Sequence, residues 1–174
     1  MEQIMDMSYR QCKILIYKQD VIYLIDFADC LSRLSLKKSN PTYTKRLTEL
    51  AIGTEEYGKD MHRFFFKNWM INEDKEVNII PYTLLYTSYI LRFISLKPYA
   101  EVISVLLSCF WVYMHVGQKI LKLRKTLSDS VSRSLEFDAW IDMYTSDELE
   151  KDVTDYQSFV DDFVDSIDCD ELII

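Results

Sequence analysis

Two residues place reactive groups in otherwise apolar surroundings. Cys109 sits in Ser108-Cys109-Phe110-Trp111-Val112-Tyr113, where helical spacing puts the Tyr113 phenol on the thiol's own face, at i+4. A cysteine attacks as its thiolate, so a nucleophile needs some group that favours ionisation below the ordinary value of about 8.5. The adjacent sequence offers a phenol and an aromatic wall but no base, and position alone favours a small buried hydrophobe. Asp20 follows Tyr17-Lys18-Gln19 and precedes Val21-Ile22-Tyr23, with Tyr23 at i+3 on its side. A carboxylate there could accept hydrogen bonds from an exocyclic amine while Tyr23 fixes a polar tip inside an apolar wall. The polar edge of an amphipathic helix would look the same. Glu55, Glu56, Asp60 and His62 suggest a carboxylate-bridged metal site, but such sites need Glu-x-x-His twice and that spacing does not occur. With His62 and His115 as the only histidines, these four read as a solvated helix face, and no metal is expected. Cys12, Cys30, Cys109 and Cys169 lie far apart without a C-x-x-C pair, so zinc and thioredoxin-like chemistry are not indicated.

Long helices must position these groups. The 174 residues are 49% hydrophobic with only three Gly and three Pro, too few for the turns of a sandwich or barrel and too few for a glycine-rich phosphate loop. Residues 9–36 read as one helix, with Ile14, Tyr17, Val21, Leu24, Ile25, Ala28, Leu31 and Leu34 at i, i+3, i+4 spacing. Ser39-Asn40-Pro41 ends it. A second helix, 42–69, carries Leu47, Leu50, Ala51, Tyr57, Met61, Phe64 and Phe65, with Gly53 and Gly58 marking a kink or a close helix contact. Asn72 to Asn78 is a polar connection. Pro81 opens a third helix to about Leu96, and Pro98 a fourth, Tyr99 to Arg124. Thr126 to Ser134 is a Ser-rich loop or the loose start of a fifth helix. The last helix, about 146–166, has Ser146 as N-cap and Asp147 and Glu148 in its first turn. Five helices joined by short breaks predict an all-α bundle in a single domain, 1–174.

Charge narrows the partners. Residues 1–141 sum to +3, whereas 142–174 hold one Lys against twelve acids. No basic face is expected to follow a phosphate backbone, so nucleic acid is not a predicted partner. The most apolar stretch, Val102 to Val116, is shorter than the roughly 20 residues of a membrane span, and no membrane partner is expected. The N-terminus lacks the basic start and apolar run of a signal peptide, which predicts a cytoplasmic protein with reduced thiols.

Four stretches together resemble the TenA, or thiaminase II, family: residues 17–28 (YKQDVIYLIDFA), 56–62 (EYGKDMH), 81–89 (PYTLLYTSY) and 100–117 (AEVISVLLSCFWVYMHVG). The last resembles the family pattern A-E-I-x-x-x-L-L-P-C-x-W-x-Y-x-x-x-G, with Ser108 in place of proline. Trp140-Ile141-Asp142-Met143-Tyr144 resembles its W-I-x-x-Y element. The resemblance implies a heme oxygenase-like helical bundle and an aminopyrimidine pocket. By it, Cys109 matches the nucleophile, which attacks the pyrimidine ring and expels the group on the exocyclic methylene. Tyr113 matches the tyrosine that orients ring and thiol, Asp20 the carboxylate that holds the ring's amino group, and Tyr23, Tyr86 and Tyr144 the pocket tyrosines. The substrate would be thiamin or an aminopyrimidine from its breakdown, the product hydroxymethylpyrimidine, with no cofactor and a tetrameric assembly.

Two family elements have no counterpart in these 174 residues: an opening helical segment with a His-Pro-Phe-type motif, and a closing helix with Tyr-Glu-x-x-Phe-Trp. The expected bundle thus lacks the family's first and last segments, including the glutamate that shuttles protons on the ring. Glu171 lies outside such a motif and does not inherit that role. An enzyme of thiamin salvage therefore stands beside two alternatives. One is a catalytically impaired relative that binds pyrimidines or other proteins. The other is a helical module whose acidic last helix docks a basic partner.

Overall fold

The computed structural model describes residues 2–37, 40–70, 78–127 and 135–165, with side chains between 14 and 164. These residues form six α-helices and no strand: α1 (Glu2–Ser35), α2 (Pro41–Asn68), α3 (Pro81–Leu96), α4 (Tyr99–Thr126), α5 (Leu135–Tyr144) and α6 (Asp147–Asp165). They divide into two compact units, Met1–Leu96 and Lys97–Ile174. Most of the polar 72–78 connection, most of the Ser-rich 126–134 stretch, the side chain of Cys12, Cys169 and Glu171 lie outside the described residues.

In the first unit α1 packs along α2 and also against α3. Helix α1 starts well before residue 9, where the apolar spacing begins. Leu31 and Leu34 of α1 and Leu47 and Phe65 of α2 are fully buried along this seam. Each such side chain contributes about 1.5–3 kcal/mol relative to exposure. Ile25, Tyr57 and Phe64, expected on the apolar stripes, are instead exposed. Helical spacing sets each off the side that buries Phe27, Ala28 and Leu31 on α1 and Met61, Phe65 and Phe66 on α2. Asn40 caps α2, its side-chain oxygen accepting from the backbone N–H of Thr42 at 3.0 Å and of Tyr43 at 3.3 Å. Buried Gln19 on α1 sets where α3 begins: its amide donates to the Asn78 carbonyl and accepts from the Ile80 N–H, both at 3.0 Å.

In the second unit α4 packs against α5 and α6. As a whole helix α4 is long and apolar enough to cross a membrane, which the 102–116 stretch alone is not. Its Val102, Ile103, Leu106 and Cys109 are buried. The short α5, which apolar spacing does not separate from its neighbours, is tied to α4 by Arg124. That guanidinium donates to Asp138 at 3.0 Å and to Asp142 at 2.9 Å. Ser146 caps α6 as expected, accepting from the Leu149 N–H at 3.2 Å.

Candidate active site

Asp20 lies on the α1 face turned toward α2, its side chain only 17% exposed. Its Oδ2 stands 3.1 Å from Nε2 of His62, a residue 42 positions away. The other ring nitrogen, Nδ1, bonds the Gly58 carbonyl one helical turn earlier. A carbonyl can only accept, so Nδ1 carries the hydrogen. His62 is 2% exposed, between the rings of Tyr17 and Phe66. This overturns its expected place on a solvated face: of those four residues His62 alone points to α1, and the ring's two polar atoms both find partners. Glu55 and Asp60 do stay at the surface, in ion pairs with Lys59 and Arg63. No group of acids, histidines and cysteines among the described residues could hold a metal ion.

Tyr23, one turn beyond Asp20, has its ring centre 5.7 Å from that of Phe27 and 5.8 Å from that of Tyr86 on α3. Tyr86 remains partly open at 44% exposure. The first unit therefore holds three of the six candidate residues, Asp20 against His62 of α2 and Tyr23 against Tyr86 of α3.

The other three, Cys109, Tyr113 and Tyr144, belong to the second unit. Cys109 is buried on α4. Ser108, where the family pattern has proline, donates its hydroxyl to the Val105 carbonyl at 2.7 Å, and α4 runs unbroken past it. Tyr113 stacks on Tyr144 with ring centres 4.9 Å apart and planes 24° apart. Trp140 backs Tyr144 at 4.5 Å. Gly117 lets α4 and the end of α5 come this close: a Cβ there would lie 2.8 Å from both the Cβ and the carbonyl oxygen of Tyr144.

Sequence reasoning missed Tyr156. This α6 residue is fully buried, its ring 5.6 Å from that of Phe110, the residue after Cys109. Burial holds its phenol well above the ordinary tyrosine range, with Tyr99 and Cys109 pushing the same way. Its i+3 spacing from Val153 was the available signal, though it marks only a core position.

The described residues, helices without a strand around two aromatic-rich clusters, form an all-α fold. Residues 17–172 match the TENA/THI-4/PQQC family model, and the chain belongs to that family. It is 30% identical over 141 residues to an aminopyrimidine aminohydrolase of Halalkalibacterium halodurans, across 80% of this chain and 60% of that protein. It is 33% identical over 105 residues to an aminopyrimidine aminohydrolase of Bacillus subtilis, across 59% of this chain and 44% of that one. The chain thus spans 60% or less of the length of these relatives. A crystal structure described as a TenA family transcription regulator from Silicibacter sp. TM1040 superposes with a TM-score of 0.66 at 18% identity. It covers 84% of this chain and 62% of its own, and bears on the fold alone.

Proposed function

We propose that the chain works in thiamin salvage, hydrolysing 4-amino-5-aminomethyl-2-methylpyrimidine or thiamin to hydroxymethylpyrimidine. For the aminomethyl substrate, water replaces the amine and ammonia leaves. Cys109 is the nucleophile: its sulfur bonds a ring carbon, the displaced ring electrons expel the leaving group from the exocyclic methylene, and the C–S bond breaks again once water has added. Tyr113 orients ring and thiol. Asp20 accepts from the ring's amino group, while Tyr23, Tyr86 and Tyr144 supply aromatic faces. The reading calls for no metal or redox cofactor. It places the protein in the cytoplasm, where Cys30 and Cys109 stay reduced, and takes a homotetramer as its working form.

The observation that carries this reading is the carboxylate of Asp20, held in place on a largely apolar helix face within a TenA-type fold. The names of the two relatives point the same way. The test is ammonia release from the aminomethyl substrate by the purified chain, beside Cys109→Ala. Release lost in the variant, with helical content unchanged, is expected. A folded wild-type chain that releases none sinks the enzymatic reading and leaves a pyrimidine-binding or protein-binding relative.

A further inference from the structure

Helix α3 carries two apolar faces. Thr87, Ile90 and Ile94 recur at i+3 and i+4 and are buried where α3 packs on α1. A second stripe, Tyr82, Leu85, Tyr86, Tyr89, Phe93 and Leu96, follows helical spacing on another side. Tyr82 is 81% exposed, Leu85 68%, Tyr89 54% and Leu96 66%. With Tyr86 these side chains expose on the order of 600 Å² of surface, at about 200 Å² for a large side chain in full. That is the upper end of the largest apolar patch on an ordinary monomer. It also equals one partner's share of a small specific interface, about 600 Å².

The same side is nearly free of charge. Arg92 is the single charged residue among the sixteen of α3, whereas the whole chain carries a net charge of −8. Two such chains repel wherever their acids approach. Across α3 they meet without bringing carboxylates together. A strongly acidic or basic partner finds no matching charges there; the stripe complements a surface as apolar and as aromatic as itself. A two-fold axis supplies that surface, because it pairs one patch with its own copy, and two patches together bury about 1,200 Å², enough for a specific interface.

We infer that the outer stripe of α3 is a self-docking surface, on which a second copy of this chain seats its own α3. The inference rests on the homotetramer taken above as the working form and names the face by which two copies join. Tyr86 ties this face to the candidate site. Its ring meets that of Tyr23 at 5.8 Å, while its helical position falls within the stripe. A second copy seated there covers a pocket tyrosine that one chain leaves 44% exposed.

Sedimentation equilibrium of the full chain tests this. At about 50 μM the wild type is expected at twice the mass of one chain or a multiple of it. Tyr82→Glu puts a carboxylate in the first turn of α3, where the helix dipole favours it, and Tyr89→Glu puts one at the stripe's centre. Two-fold symmetry brings each new carboxylate to the face twice, so both variants are expected to weaken the association at least about 100-fold and to halve the mass, with helical content unchanged. Ser95→Glu adds the same charge on an exposed side of α3 away from the stripe and should assemble as the wild type does. Should Tyr89→Glu fail to fold, Tyr82→Glu decides. An assembled wild type whose mass Tyr82→Glu leaves unchanged, or Ser95→Glu lowers as much, overturns the inference while the homotetramer stands. An assembly that stops at two chains and falls to one in Tyr82→Glu supports the inference and overturns the homotetramer. A wild type that stays a single chain overturns both. It gives the stripe to a different protein if Tyr89→Glu is as stable as the wild type, and to another part of this chain if it is not.

Discussion

Gly117→Ala is the substitution whose cost the structure specifies most directly. A Cβ at 117 meets Tyr144 at three atoms: its Cβ and carbonyl oxygen at 2.8 Å and its carbonyl carbon at 3.1 Å. Two of these are backbone and cannot rotate away, so α4 and the end of α5 must part by about 0.6 Å to reach an ordinary 3.4 Å contact. Overpacking of this kind costs about 1–3 kcal/mol. Against it stands the helix-propensity gain of alanine over glycine, about 1 kcal/mol. Gly53 supplies the control. It also lies inside a helix, but its added Cβ meets nothing nearer than the Tyr57 ring at 3.7 Å, so Gly53→Ala should stabilise by about 0.5–1 kcal/mol. Urea unfolding followed by far-UV circular dichroism, with the slope checked for constancy, should place the two variants on opposite sides of the wild type. They should differ by about 1–3 kcal/mol. A Gly117→Ala chain as stable as Gly53→Ala would show that α5 yields freely at Tyr144, refuting the account of the Tyr113–Tyr144 stack as rigidly seated.

Arg124→Ala removes both bonds from α4 to α5, and since Asp142 is largely exposed the expected loss is only about 0.5–1 kcal/mol. The difference should shrink in 1 M NaCl, and a loss indifferent to salt would point to packing instead. Tyr156→Phe should change alkaline stability. The folded phenol is held above its unfolded value of 10.0, so its contribution is fully present below pH 10 and is lost as pH rises from there toward the folded pKa. Above pH 10 the wild type should therefore lose up to about 1.4 kcal/mol per pH unit more than Tyr156→Phe. Parallel urea titrations from pH 9 to 11 would refute this if the two curves stay parallel.

Local chemistry was legible in the chain's own spacing; contacts between helices were not. Pro81 and Pro98 stand at the starts of α3 and α4, and Ser146 caps α6, because caps and prolines act within one turn. The Ser108 back-bond is equally local. His62 misled because its surroundings in sequence, Asp60 and Arg63, are surface residues. Its burial depends on which face α2 turns toward a helix some forty residues upstream, a choice that spacing within α2 leaves open. Gln19 illustrates the same gap: it sits in the polar run Lys18-Gln19-Asp20, and nothing in that run shows that it anchors the backbone ahead of α3 with two hydrogen bonds. The Tyr113–Tyr144 stack was accessible only through the family pattern, since the two residues lie on different helices.

Both clusters place a glycine one turn from a candidate site residue, and the reason is the same in each. In the first unit Gly58 lies against Leu24, whose Cδ1 would stand 2.7 Å from an added Cβ. Leu24 is one turn after Asp20, and His62 one turn after Gly58, so in antiparallel helices the close approach falls directly beside the Asp20–His62 contact. An imidazole is short. It reaches a carboxylate across a helix pair only where the backbones come near, and a side chain at 58 would hold them apart. The Gly58 carbonyl also orients the ring that makes the reach. In the second unit Gly117 is one turn after Tyr113 and touches the backbone of Tyr144, so the helices approach where the two rings stack. Small residues here do not loosen the helices. They set the distance at which short, stiff side chains can meet, and so bear on the candidate sites without touching a ligand.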